Sequence, residues 1–451
     1  MTRHTKDYEI LLLGAGPANL MAGLELLDQG QHRSLAIIDQ GESAFARHCK
    51  ASHVNGCRHC TACDVVNGFG GAGMFSDGKL HRSDDEYAAR AFAYLERFGL
   101  PSFDDAPAYM SRLKRMRKLL ESHRFSLSGY ISQHVGTDTI IEVTRNIETY
   151  LRSAGVEFLF ARRAVSVTWE KGVYQVRCVD RGGRSFTYHA ERLLVGTGKA
   201  SAALFAELFS ELPMQRVSVM PSVGVRFEFP TSALRKITGG VVKDPQIALK
   251  TRTGATLTTF CTCEAGQVVP FRTPAGIQLG GQSSTREGTG RSNFAILRRI
   301  DQNDRQEDDP FAFGQAFVSS VHAINPSMPL LQTLGDFLDN GVKDRFEKHD
   351  TTLPYYDYAN LSSLLPTGLA SEIAEFVDRL GQIDSNFNHR ANILSAPVLE
   401  YSVPMLEVTD FVISRYPGLY FVGDITGYAS GIISSAIMGL LAVDHVCRNS
   451  S

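Results

Sequence analysis

The stretch YEILLLGAGPANLMAGLELLDQGQHRSLAIID, residues 8–39, decides the fold of this chain. An apolar strand at residues 8–13 leads into a glycine turn at 14–16. A helical segment follows at 17–30, and a second apolar strand follows at 35–38. This order predicts a strand, turn, helix and strand unit whose two strands lie parallel in one sheet.

The turn has the composition of a dinucleotide-binding site. Gly14 permits the tight turn, and Gly16 lets the backbone approach a pyrophosphate at the N-terminus of the helix, where unpaired N–H groups attract an anion. Asp39 stands about 20 residues beyond, where an acid can accept a hydrogen bond from a ribose hydroxyl. Asn19 occupies the place of the third glycine in the pattern, which governs close helix packing. We assign to this site Gly14, Gly16, Pro17, Ala18, Asn19, Asp39 and Gln40.

Length and charge limit the classes of function. A chain of 451 residues predicts two closely packed domains. The 48 acidic and 46 basic residues leave no long-range field that would favour nucleic acid or an anionic membrane, and we expect no partner of either kind. Residues 1–8 are polar, without the apolar stretch of a signal peptide. The longest apolar run, residues 431–443, is shorter than the roughly 20 residues that span a bilayer. We therefore expect a cytoplasmic protein.

Two segments far from the N-terminus resemble motifs of FAD oxidoreductases. YFVGD at 420–424, followed by GYASGI at 427–432 and a helix, resembles their second flavin motif. LLVGTG at 193–198 resembles the strand that returns to the FAD domain. The resemblance implies that Asp424 holds the ribityl or phosphate region and that the last helix points its N-terminus at the flavin, where it stabilises the anionic reduced form. The implied cofactor residues are Arg47, Val165, Gly196, Thr197, Gly198, Gly423, Asp424, Gly431 and Ile432.

A third motif narrows the resemblance. GFGGAGMFSDGKL at 68–80 is similar to the signature of a widespread group of bacterial FAD-dependent dehydrogenases, and GVRFE at 224–228 and TFCTC at 259–263 follow in the expected order. The glycines let backbone pass close to a flat ring, and the polar residues offer contacts beside it. The resemblance places at the flavin Gly70, Gly71, Ala72, Gly73, Ser76, Asp77, Gly78 and Lys79. EYS at 400–402 departs from the acid, threonine and arginine of the pattern, so it identifies no substrate.

The fold class that follows is α/β, with a Rossmann-like FAD-binding domain and a discontinuous α+β substrate domain. We expect the FAD-binding domain in three parts, 1–83, 126–211 and 391–451. A helical insertion is expected at 84–125 and the substrate domain at 212–390. The predicted strands of the second part are 156–160, 164–169, 173–179, 184–189 and 192–195.

Cysteines crowd into the irregular segment before the glycine-rich signature. Cys57, Cys60 and Cys63 are spaced by two residues, with Cys49 upstream and histidines between them. Thiolate ligation of zinc or an iron–sulfur cluster, a dithiol exchanging electrons with flavin, and reduced cysteines packed in a loop all fit this spacing. The run lacks the usual downstream ligand and proline, so we assign no metal site.

The expected activity is hydride transfer between a small-molecule substrate and flavin N5. Electrons would reach or leave the flavin through oxygen, a carrier protein or transient NAD(P)H. Alternatives are an FAD-dependent monooxygenase, a metal-dependent protein resembling thiazole synthases, and a non-redox FAD protein. No catalytic residue is assigned; the candidates for binding a substrate carboxylate are Arg226, Arg272, Arg286, Arg291 and Tyr401. Cys261 and Cys263 alternate on a predicted strand and so share one face, either in the active site or in the core.

Overall fold

The structure is a computed structural model that describes residues 4–31, 34–52, 54–102, 106–128, 131–300 and 309–448. The helices are α1 (Pro17–Asp28), α2 (Glu86–Arg97), α3 (Ala106–Ser122), α4 (Gly136–Ser153), α5 (Phe205–Leu208), α6 (Thr231–Thr238), α7 (Pro310–His322), α8 (Leu334–Asp339), α9 (Leu369–Gly381) and α10 (Ile432–Arg448). Within these ranges, none of the helices has the length and apolar character that a bilayer crossing requires.

The strands fall into two large sheets and several short pairs. In chain order they are β1 (His4–Leu13), β2 (Leu35–Ile38), β3 (Lys79–His81), β4 (Phe125–Ser128), β5 (Ser132–His134), β6 (Glu157–Leu159), β7 (Arg163–Glu170), β8 (Val173–Val179), β9 (Ser185–Val195), β10 (Arg216–Val217), β11 (Ser222–Pro230), β12 (Gln246–Lys250), β13 (Thr256–Cys263), β14 (Gln267–Thr273), β15 (Gly276–Gln282), β16 (Arg291–Arg299), β17 (Leu330–Thr333), β18 (Asp357–Tyr358), β19 (Ile393–Glu400), β20 (Met405–Leu406) and β21 (Leu419–Phe421).

The first sheet has the order β6, β2, β1, β9, β8 and β7, with β21 also beside β9. Strands β6, β2, β1, β9 and β21 are parallel to one another, and β7, β8 and β9 form an antiparallel meander. Because strand side chains alternate, Ile10 and Leu12 join the core beneath α1 and α10, whereas Leu11 and Leu13 join the core beneath the meander. The parallel sheet with helices confirms the predicted α/β class.

The strand predicted as two pieces, 184–189 and 192–195, is one continuous strand, β9. Its early residues pair with β8 and its last residues pair with β21, while its other edge pairs with β1 along almost its whole length. Glu191 lies between the two predicted pieces, and Arg192 begins the second. Arg192 instead forms an ion pair with Glu9 on the neighbouring β1, so the strand continues through it.

The second large sheet has the order β18, β17, β19, β11, β16, β13, β12 and β4. Its central strand β11 places Val223, Val225, Phe227 and Phe229 in one core together with helices α3, α6, α7 and α9. The apolar pattern of residues 217–229 predicts one long strand, whereas the structure divides this segment into the short β10 and the long β11.

The boundary between the two halves differs from the predicted one at two points. Helix α3 and strand β4 pack with the second sheet, whereas α2 packs on α10 in the first core. Strand β19 also belongs to the second sheet, so the chain returns to the first sheet after Glu400 and not near residue 391. Pairing with strands that are distant in the sequence determines which sheet β4 and β19 join, and local composition does not predict this pairing. The domain bounds remain a proposal.

Candidate active site

A cavity of about 540 Å³ opens where the strands β1, β2 and β9 end. Its wall is built by the loops that follow these strands, by the glycine-rich segment and by the start of α10. The carboxyl ends of parallel strands are the usual place for a ligand in open α/β sheets. Strands β13, β14 and β15 and the end of β19 close the opposite side, so both halves of the chain contribute to one cavity.

The first glycine turn leaves the start of α1 open to the cavity. Gly14 has a φ of +98°, and a Cβ there would lie 2.4 Å from the carbonyl oxygen of Gly196. Gly16 is the N-cap residue of α1, so no side chain accepts a hydrogen bond from the first N–H groups of the helix, and Pro17 takes the first helical position. A Cβ on Gly16 would come no closer than 3.8 Å to protein atoms, so it would project into the cavity. These are the properties of a pyrophosphate cradle.

Asp39 connects the end of β2 to two neighbouring loops. Its Oδ2 accepts from the backbone N–H of Ala15 at 2.9 Å, and its Oδ1 accepts from Gly41 at 2.7 Å and Gly68 at 2.8 Å. The side chain also lines the cavity. A carboxylate has about four lone-pair sites, so Asp39 can hold the turn and still accept from a ribose hydroxyl.

Strand β7 contributes Val165 to the same cavity. Ala164 pairs with Cys178 and Ser166 pairs with Arg177, which leaves Val165 as the extra residue of a β-bulge. The extra residue of a bulge lies outside the regular ladder, so its backbone polar groups are available to a ligand. The resemblance to FAD oxidoreductases implies a backbone contact between Val165 and adenine, and the bulge is compatible with that contact.

Most predicted cofactor residues line this one cavity. They are Gly14, Gly16, Pro17, Ala18, Asp39, Gln40, Gly71, Ala72, Gly73, Ser76, Lys79, Val165, Gly196, Thr197, Gly198, Gly423, Asp424, Gly431 and Ile432. The structure places the remaining five elsewhere: Asn19, Arg47, Gly70, Asp77 and Gly78.

The side chains of Asn19 and Arg47 donate hydrogen bonds to backbone carbonyl groups and do not line the cavity. The buried Asn19 amide donates to the carbonyl oxygens of Leu13 and Gly14 at 3.0 and 2.8 Å, and these two hydrogen bonds stabilise the glycine turn. The buried Arg47 guanidinium donates to backbone carbonyl groups of the glycine-rich loop, among them that of Phe69 at 2.7 Å. Both act on the shape of the cradle.

Asp77 anchors a buried polar network behind the cavity wall. Its carboxylate lies 3.0 Å from Lys79 Nζ and 3.0 Å from His134 Nε2, and Ser283 donates to it through both its hydroxyl and its backbone N–H. Burial disfavours the charge, yet Lys79, His134 and Ser283 together outweigh it and hold the pKa of Asp77 well below its ordinary value. Lys79 lines the cavity, and its ion pair with Asp77 in this network stabilises its positive charge.

The start of α10 supplies the other glycine site. Gly431 has a φ of +107°, and no protein atom lies within 4 Å of a Cβ built there. Asp424 accepts from the Ser435 hydroxyl at 3.1 Å. Burial raises the pKa of Asp424, and the charge of Lys199 opposes this rise. The open helix start and the carboxylate face the same cavity as the first glycine turn, which fits a ligand bound at two helix N-termini.

Lys199 and Glu400 are site residues that the sequence interpretation did not assign. Lys199 Nζ donates to Glu400 at 2.7 Å, and both line the cavity. They also line a second cavity of about 580 Å³, together with Tyr401 and Arg299. Lys199 follows directly on the GTG turn, a signal in the sequence. Glu400 was noted there only as a departure from a pattern, whereas Tyr401 was also a candidate for binding a substrate carboxylate.

The arginines proposed for a substrate carboxylate are engaged elsewhere. Arg226 binds Asn293 and backbone in the interior, Arg291 pairs with Glu228, and Arg286 forms surface pairs. Arg272 contacts His59. Of the five candidates, Tyr401 alone lines either cavity.

The cysteine-rich segment packs against the second half of the chain. Cys57 N–H donates to the Ser327 carbonyl at 2.8 Å, and Cys63 Sγ accepts from the Arg272 N–H at 3.4 Å. Among the described residues, no three His, Cys, Asp or Glu side chains are arranged to hold a metal ion. His53, which belongs to the predicted cluster, lies outside the described residues.

Comparison with known proteins identifies a family for the second half. Residues 222–398 match the family model described as FAD-dependent protein, C-terminal domain-like. An uncharacterized protein of Clostridium beijerinckii is 23% identical, over 97% of this chain and 80% of that protein.

Two solved structures show weaker similarity. A flavoprotein/dehydrogenase from Cytophaga hutchinsonii has a TM-score of 0.43 at 9% identity, with 97% of this chain and 76% of that chain covered. A glycerol-3-phosphate dehydrogenase from Bacillus halodurans complexed with FAD has a TM-score of 0.47 at 12% identity, with 99% of this chain and 65% of that chain covered.

Over residues 222–398, the chain is similar to the C-terminal domain of FAD-dependent proteins. This similarity and the two open helix starts in one cavity together indicate FAD as the cofactor.

Proposed function

We propose that this protein is a dehydrogenase that transfers a hydride between a small-molecule substrate and N5 of FAD. The observation that carries the proposal is the shared cavity, in which the glycine turns of the first sheet face residues of β13, β15 and β19. A substrate held by the second sheet therefore lies in the same enclosure as the cofactor, which is the arrangement that a direct transfer requires.

In this proposal, the residues of the chain hold and orient the bound FAD and balance its charge. We assign the pyrophosphate to the N-terminus of α1 at Gly14 and Gly16, and the ribose to Asp39. The N-terminus of α10, at Gly431, would supply backbone N–H groups toward the flavin ring. Burial lowers the pKa of Lys79, but the neighbouring negative charges of Cys261, Asp77 and Asp244 raise it above its ordinary value, so this side chain remains a cation. Bound FAD supplies the hydride-accepting atom.

We place the substrate in the second cavity, beside the flavin. That cavity shares Lys199, Glu400 and Tyr401 with the cofactor cavity, and Phe260 packs on the Tyr401 ring at 5.4 Å between ring centres. An ion pair beside two aromatic rings suits a small substrate with one charged or polar group and one apolar face.

The first test is an absorption spectrum of the purified protein, with metal analysis on the same sample. We expect the bands of an oxidised flavin. A colourless protein that cannot be reconstituted with FAD would refute the cofactor, and stoichiometric zinc or iron would favour the metal-dependent alternative.

The second test separates hydride transfer from oxygenation. Candidate substrates are mixed anaerobically with the flavin-loaded protein, and loss of the flavin absorbance is followed. A dehydrogenase is reduced by its substrate without oxygen. If no substrate bleaches the flavin, while substrate accelerates NAD(P)H-driven oxygen uptake, the protein is a monooxygenase and the proposal is wrong.

A further inference from the structure

Two cysteines on β13 stand at the cavity wall, apart from the cysteine-rich segment. Lys79 Nζ lies 3.4 Å from the Sγ atoms of both Cys261 and Cys263. Arg226 Nη2 lies 3.2 Å from Cys263 Sγ and donates to the Cys261 carbonyl at 2.7 Å. Two buried cations therefore face two sulfur atoms. Cys261 lines the cavity, whereas Cys263 is fully buried behind it.

The backbone at this point is specialised. Phe260 pairs with Ala295 and Cys263 pairs with Asn293, so β13 carries one residue more than its partner strand and forms a bulge. Cys261 lies within the bulge with a φ of +51°, a conformation that few residues other than glycine adopt. Bulges re-aim side chains beside active sites, and strained backbone concentrates at functional positions.

The two sulfurs differ in their protonation. A hydrogen bond from Cys263 and the charges of Lys79 and Arg226 lower the pKa of Cys261 to about 5, against the opposing effects of burial and of Asp244. Burial raises the pKa of Cys263. At neutral pH the pair is therefore a thiolate that reaches the cavity and a buried thiol beside it, which is the division between an attacking and a resolving cysteine.

We propose that Cys261 and Cys263 form a redox-active dithiol that exchanges two electrons with the flavin in the same cavity. An S–S bond forms between the two sulfurs as the S–H bond of Cys263 breaks. The two electrons and that proton pass to the oxidised flavin, which becomes the anionic reduced flavin. The reverse reaction cleaves the disulfide. This proposal rests on the FAD cofactor and not on the identity of the substrate.

The first experiment follows the cysteines directly in the holoprotein. The protein is equilibrated in mixtures of reduced and oxidised glutathione, quenched in acid, alkylated and digested with trypsin. Cleavage after Arg252 and Arg272 releases residues 253–272, which contain Cys261 and Cys263 and no other cysteine. We expect this peptide to change reversibly from the doubly alkylated form to an internal disulfide. A doubly alkylated peptide at every ratio would overturn the proposal.

The second experiment counts electrons. Anaerobic dithionite titration of the oxidised holoprotein should consume two more electrons per flavin than titration of the Cys261→Ser, Cys263→Ser double variant. Equal consumption, with the disulfide present in the first experiment, would overturn the exchange with flavin. A protein without flavin bands would instead refute the cofactor assignment, while the peptide measurement still reports on the dithiol.

Discussion

At Gly16, the side chain of a substituted residue would contact the ligand and not the protein. The nearest protein atom to a Cβ at this position is 3.8 Å away, so the chain itself has room for a larger residue. The functional demand on Gly16 is therefore separate from folding, which makes it a useful place to test the cofactor site.

We predict that Gly16→Val weakens FAD binding by on the order of 100-fold, about 2.7 kcal/mol, because the new side chain fills the space assigned to the pyrophosphate. Flavin retention after gel filtration and FAD titration of the apoprotein measure the effect. Gly290→Val is the matched control, since Gly290 lies outside the cavity with no atom within 4 Å of a Cβ. Tight FAD binding by Gly16→Val would remove this turn from the site.

Cys261 should show its unusual acidity in solution. The thiolate is the reactive form, and a pKa lowered to about 5 means that it is present above that pH and lost below it. We predict that alkylation of Cys261 by iodoacetamide is almost independent of pH from neutrality upward and falls as the pH drops through 5. Peptide mass spectrometry measures the rate.

Cys178 provides the internal comparison for this measurement, because burial raises its pKa to about 12. It should remain unmodified under the same conditions. Lys79→Gln should shift the midpoint for Cys261 upward by removing one of its cations. An unchanged profile in Lys79→Gln would show that this lysine does not stabilise the thiolate.

At the scale of elements, the contact between α1 and α10 joins the two ends of the first half. Gly439 on α10 lies so close to α1 that a Cβ would stand 2.0 Å from the Ala18 carbonyl oxygen. The two helices begin at the two glycine sites of the cavity. Their close packing therefore sets the distance between the proposed pyrophosphate and flavin contacts.

We predict that Gly439→Ala destabilises the protein by about 1 to 3 kcal/mol, although alanine is favoured over glycine in a helix by about 1 kcal/mol. The clash involves backbone, which cannot turn aside as a side chain can. Urea unfolding measures the change, with Gly290→Ala as a control in open space. An equal or higher stability of Gly439→Ala would show that the helices can separate without loss.

At the scale of the whole molecule, Asp77 links the glycine-rich segment to both halves. It binds Lys79, His134 beside the first core, and Ser283 at the end of β15. Removing one partner of a buried charged network leaves the others uncompensated.

We predict that Asp77→Asn lowers the free energy of unfolding by about 3 to 5 kcal/mol near neutral pH. The pKa of Asp77 is lowered in the folded state. Its stabilising effect is thus complete above the unfolded pKa of about 3.9 and decreases as the pH falls toward the folded value. Urea unfolding between pH 3 and 7 should show the difference from wild type shrinking in acid.

The exposed Asp7 supplies a control for this series, since its contact with His189 lies at the surface and Asp7→Asn should change stability little. A constant difference between Asp77→Asn and wild type at all pH values would mean that the carboxylate charge is not what matters at this position.

The sequence predicted the local elements well where the periodicity of the apolar residues agrees with the glycine and turn residues at the ends of the segment. Helix α1, strand β2 and strand β8 lie where their apolar patterns place them. It failed where long-range pairing decides, as in the continuous β9 and in β19, which joins the second sheet. It also assigned Arg47 to the ligand, because a charged residue near a motif gives no sign of the backbone carbonyls that will surround it.

What the sequence by itself determined is the dinucleotide-binding unit, because its glycines, helix start and acid are close in the chain and act through local backbone geometry. The tertiary structure alone decided which distant residues meet this unit. Lys199, Glu400 and Cys261 reach one cavity only because segments of both sheets line it. Burial and neighbouring charge, which set the protonation of Asp77 and Cys261, exist only once those chain segments are packed together.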